Sequence, residues 1–65
     1  MIKYIGRSFA IVRPTETFPH PFEVEEVGHF AVRIREDRPD TTVKRVVARV
    51  ELETAIDQRE VQVLP

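Results

Sequence analysis

His29-Phe-Ala-Val-Arg-Ile-Arg35 decides how this chain is read, because apolar Phe30, Val32 and Ile34 alternate with His29, Arg33 and Arg35. A period of two belongs to a strand with one face buried and one face in water. Downstream, Arg45-Val-Val-Ala-Arg-Val-Glu-Leu-Glu53 alternates again, with Val46, Ala48, Val50 and Leu52 on one side. Between them, Glu36-Asp-Arg-Pro-Asp-Thr-Thr42 carries the Pro and Asp of a loop. The pattern predicts an antiparallel hairpin.

A helix over residues 40–53 is the competing reading. Val43, Val46, Val47 and Val50 also fall at i, i+3, i+4 and i+7, with Asp40 placed to cap them. Four valines in eight residues oppose it, since β-branched side chains lose rotamer freedom in a helix. The strand is therefore preferred.

Working outward, Ile2 and Tyr4 share one parity, and Phe9 and Ile11 the other, with Gly6 near the change of phase. Ile2–Arg13 reads as one strand bent or bulged at Gly6. Three prolines make Pro14–Pro21 a loop. Phe22–Val27 reads as a short strand ended by Gly28, Ala55–Arg59 as a turn or single helical turn, and Glu60–Leu64 as a last strand.

Composition agrees, since ten Val, five Ile and five Thr stand against two Leu and four Ala. The expected fold class is all-β. Residues 1–65 form a single small β domain of about five mostly antiparallel strands, in a small barrel or a highly curved sheet. The expected core is Ile2, Tyr4, Phe9, Ile11, Phe22, Phe30, Val32, Ile34, Val46, Val50, Leu52, Val61 and Val63. No apolar run approaches 18 residues, and Lys3, Arg7 and Arg13 interrupt the hydrophobics at the start. A soluble cytoplasmic protein without a membrane partner is expected.

Chemistry finds little to work with. Cys is absent, which removes disulfides, thiolate zinc sites and thiol nucleophiles. No G-x-S-x-G turn, phosphate-binding loop or dinucleotide fingerprint occurs. His20, Glu23, Glu25, Glu26 and His29 are close in sequence, but a strand sends Glu23 and Glu25 to one face and Glu26 to the other. They do not form a closed ligand set. The expectation is a non-enzymatic protein with no catalytic residue, no metal site and no cofactor.

Charge carries more information. Ten basic and eleven acidic residues nearly cancel, yet they are segregated. Pro14–Val27 has four acids and no Lys or Arg; Arg33–Arg49 has six bases and three acids; Val50–Pro65 has four acids and one base. Arg33, Arg35, Arg45 and Arg49 leave the outer faces of the predicted hairpin and are the candidate patch for nucleic acid or an acidic partner. Phe18, at the loop tip, joins Glu23, Glu25, Glu26, Glu51 and Glu53 as the candidate acidic and aromatic surface for a protein partner. The alternative for Phe18 is that it folds back over the core.

These features lead to an expected role as a small protein-binding module, an inhibitor or regulator that blocks a larger nucleic-acid-handling complex. A phage-encoded anti-defence protein is one form of it. The alternatives are direct nucleic-acid binding through the basic hairpin and a structural module that makes a homodimer through an edge strand, Glu60–Leu64.

Overall fold

The computed structural model describes all 65 residues, Met1–Pro65. A 3-10 turn at Ile2–Tyr4 precedes β1 (Ser8–Ile11), β2 (Phe22–Val27), β3 (Ala31–Arg38), β4 (Thr41–Ala48), α1 (Arg49–Asp57) and β5 (Val61–Val63). The five strands make one antiparallel sheet in the order β4-β3-β2-β1-β5. The first four run as a meander, and α1 then takes the chain from the β4 edge to the β1 side, where β5 pairs. The protein is mostly β, with one short helix.

The expected barrel is not formed. β4 and β5 are the two edges of an open sheet, and the segment between them is helical. Residues 49–57 fold as a helix because Leu52, Ala55 and Ile56 make an i, i+3, i+4 stripe that covers one face of the sheet. Arg, Glu, Leu and Ala are also good helix formers, and Glu51 in the first turn favours the helix N-terminus. The predicted strand to Glu53 therefore stops at Ala48.

The loop expected at residues 36–42 is shorter, since β3 and β4 are joined by Pro39-Asp40 alone. That turn fixes the register, pairing Val32 with Val47, Ile34 with Arg45 and Arg33 with Val46. Directly opposed side chains share a face. Val47 is thus in the core and Val46 is 67% exposed, the reverse of the expected parity.

A register shift in the β2–β3 ladder, between Val24 and Glu26, is a bulge at Glu25. It brings Val24 and Val27 to the core face and Glu23 and Glu26 to the outer face, opposite Arg35 and Arg33. The expected separation of Glu23 from Glu26 is corrected by that single extra residue. At the N-terminus, the strand predicted for Ile2–Arg13 is reduced to β1, because the 3-10 turn and a left-handed Gly6 precede it. Ile2 consequently stands in solvent.

The core lies between the sheet and α1. Phe9, Phe18, Phe22, Val24, Val32, Ile34, Val47, Leu52, Ala55 and Val61 are buried, with Tyr4, Ile11, Val27, Ile56 and Val63 packed against them. A row of rings runs through it: Tyr4 meets Phe9 edge-on at 5.3 Å, Phe9 stacks on Phe22 at 5.1 Å, and Phe22 on Phe18 at 5.0 Å. Phe30, Val46 and Val50, expected in the core, are exposed instead.

Candidate protein-docking corner

Large apolar side chains left in water mark surfaces worth testing for contact with another molecule. Phe30 is the extreme case, 81% exposed, and Val50 is 64% exposed. Phe30 lies in the reversal between β2 and β3, where the Gly28 N–H donates to the Ala31 carbonyl at 2.8 Å. Only His29 and Phe30 lie between them, so Phe30 occupies a turn position rather than the start of a strand. Gly28 suits this turn because a β-carbon there would stand 3.1 Å from the Ala31 carbonyl oxygen.

Arg49 fastens the turn to the helix. Its main-chain N–H donates to the Phe30 carbonyl at 2.8 Å, its Nη1 to the Gly28 carbonyl at 3.2 Å, and its Nε to Glu53 at 3.3 Å. The His29 ring meets Phe30 edge-on at 4.4 Å. His29, Phe30, Arg49, Val50 and Glu53 line a shallow cleft of about 390 Å³. On the other side of the same turn, Gly28, Ala31, Arg33 and Val46 border a smaller depression with Glu26. An aromatic side chain is therefore presented on a braced turn, with exposed valines on either side of it.

The residues singled out from sequence fall in several places. Phe18 is 2% exposed and takes the folded-back position, since the Thr15 hydroxyl accepts its N–H at 3.0 Å and turns the ring into the core. It offers no exposed aromatic. Glu23 pairs with Arg35 at 2.6 Å, Glu26 with Arg33 at 3.2 Å, and Glu25 lies 3.8 Å from Lys44. Glu51 is exposed on α1, beside Val50. Glu53 pairs with Arg49 at 3.3 Å.

The four arginines are likewise separated. Arg33 and Arg35 stand on the outer face of the sheet, Arg45 on the core face of β4 and Arg49 at the start of α1. Each holds a carboxylate, so a large share of their charge is compensated within the chain. No group of three or more His, Cys, Asp or Glu side chains is arranged to hold a metal ion. No helix is long and apolar enough to cross a membrane.

Alternation with Val32 and Ile34 predicts a core position for Phe30, and the structure places it in solvent. The signal against that assignment is Gly28, because a reversal after β2 must consume the next two residues. Fold and site define a small protein of one open antiparallel sheet with a single covering helix. No family model, characterised protein or solved structure matches the chain.

Proposed function

We propose that this chain is a non-enzymatic protein-binding module that docks a partner at the Phe30–Val50 corner. The observation that carries the reading is Phe30, 81% exposed on a turn that Arg49 braces through two hydrogen bonds, to the Phe30 and Gly28 carbonyls, while Glu53 holds the Arg49 side chain. An aromatic anchor held before binding loses little conformational freedom on docking, which is how a small contact gains affinity.

Glu51 is exposed on α1 beside Val50, while Glu53 is held by Arg49, so a complementary partner is apolar at its centre and basic at the rim that meets Glu51. Basic rims are common on proteins that handle nucleic acid. Blocking such a complex is the role we assign, with Phe30 rather than the buried Phe18 as the aromatic anchor. Direct binding of nucleic acid has less support, because Arg33, Arg35, Arg45 and Arg49 are each engaged by a carboxylate.

The test is affinity capture from the native host at moderate salt, with the parent and Phe30→Ala proteins side by side. A stoichiometric protein partner, retained by the parent and released by Phe30→Ala, is expected. Its affinity falls further with Glu51→Lys. Failure to recover a partner, or recovery indifferent to Phe30, overturns the reading.

A further inference from the structure

The Pro39-Asp40 turn and the register it sets determine which way every main-chain group of β4 points. Arg38 pairs with Thr41 at the turn, and hydrogen-bonded pairs alternate from there along an antiparallel ladder. Thr41, Val43, Arg45 and Val47 therefore direct N–H and C=O to β3. Thr42, Lys44, Val46 and Ala48 direct theirs to the open side. No turn, loop or cap hydrogen bond takes the N–H of any of these four. The Ala48 carbonyl begins α1, which leaves that residue with a free N–H.

The two edges of the sheet differ in how they are protected. β5 is three residues long, follows the left-handed Arg59 and is soon followed by Pro65. Short edges and nearby proline are devices that discourage strand addition. β4 is eight residues long, contains no proline and has its register intact throughout. Its exposed Val46 is a further invitation to pairing.

We infer that β4 pairs antiparallel with the β4 strand of a second copy, centred on Val46, so that two five-stranded sheets join into one. The charges choose this register. Centring on Lys44 or Arg45 sets each cation directly against itself, which is destabilising. Centring on Val43 leaves Val46 facing residues of the turn. Centring on Val46 opposes it to the second copy's Val46, sets Lys44 against Ala48 and sets Arg45 against Val47. In that register Val46 exchanges main-chain hydrogen bonds with its counterpart, and the Ala48 N–H donates to the Lys44 carbonyl across the two-fold axis. The paired stretch, residues 44–48, is shorter than a standard stable interface provides, so the dimer is weak and concentration-dependent. Val46 does not line the cleft at Phe30, and the docking proposal can fail or succeed independently.

Sedimentation velocity on the intact chain over a wide concentration series is the test, combined with residue-resolved hydrogen exchange. The expected result is a rise from 7.6 kDa towards twice that mass. Amides of Val46 and Ala48 gain protection as concentration rises, while those of Val61 and Val63 do not. Val46→Lys weakens dimerisation at least tenfold, and Val46→Thr changes it only a few-fold. A chain that stays at 7.6 kDa at every concentration overturns the proposal. So does concentration-dependent protection on β5 rather than β4, or a Val46→Lys protein that dimerises like its parent.

Discussion

Arg45 on β4 and Glu36 on β3 form an ion pair on the core side of the sheet, where the Glu36 carboxylate is fully buried. The other carboxylate oxygen accepts from Arg38 Nε at 2.7 Å, and Arg45 Nη1 also donates to the Thr17 carbonyl at 2.9 Å. The pair thereby ties the Pro14–Pro21 loop to the hairpin. Burial works to raise the pKa of Glu36, but hydrogen bonds and charge from Arg38 and Arg45 outweigh it and hold the carboxyl below its ordinary value.

Glu36 therefore makes the fold acid-sensitive. Its folded pKa is depressed, so the stability it contributes is present above its unfolded-chain value and is lost as pH falls through the folded value. Glu36→Gln removes that acid limb and costs about 2 kcal/mol at neutral pH, on the scale of charged hydrogen bonds. Arg45→Met leaves the buried carboxylate with Arg38 alone and costs roughly 3 kcal/mol. Urea unfolding at several pH values checks both. An unchanged acid limb in Glu36→Gln would place the sensitivity elsewhere.

Phe18 and Phe30 give opposite results when truncated. Phe18 is enclosed and stacked on Phe22, so Phe18→Ala costs about 3–5 kcal/mol, as large-to-small core changes do. Phe30 already stands in solvent, and Phe30→Ala changes stability by about 0.5 kcal/mol or less. Denaturant midpoints of the two variants decide the matter. A Phe30→Ala protein destabilised as much as Phe18→Ala would make that ring structural and remove the basis for docking.

The outer-face ion pairs contribute little to stability despite their regular arrangement. Arg33 and Glu26 oppose one another at 3.2 Å with both side chains more than half exposed. A double-mutant cycle on this pair is expected to give about 0.2–1 kcal/mol, falling as salt screens the charges. A coupling several times larger and independent of salt would mean that this face is shielded from water.

The strands were legible where alternation and punctuation agree. The run through Val32 and Ile34 and the short Val61–Val63 follow the period of two in burial, whereas Phe22–Val27 before Gly28 follows it only as far as Val24, where the bulge shifts the phase. What sequence did not settle was parity. The position of the Pro39-Asp40 reversal sets which of Val46 and Val47 points inward, and both are valines. The bulge at Glu25 and the burial of Glu36 were hidden for a related reason, since each depends on a partner on another strand. The docking corner is hidden in the sequence because the alternation of Phe30 imitates a core position, and Phe18 admits two readings there, of which the Thr15 hydrogen bond selects the buried one.

Arg59 offers a route to a more stable protein. It has φ of 58°, and the chain ends α1 there with the Glu60 N–H donating to the Ala55 carbonyl at 2.9 Å and the Arg59 N–H to the Ile56 carbonyl at 3.1 Å. This is the two-bond helix ending that ordinarily carries glycine at the left-handed position. A side chain there costs about 1–2 kcal/mol from the clash of its β-carbon, partly offset because glycine gains more freedom on unfolding. Arg59→Gly is expected to stabilise by about 1 kcal/mol, or about 4–8 °C in Tm for a domain of this size. Arg59→Val should do the reverse, since a β-branched residue tolerates positive φ poorly. Thermal unfolding of the two variants beside the parent checks the assignment, and a Gly variant less stable than the Val variant would refute it.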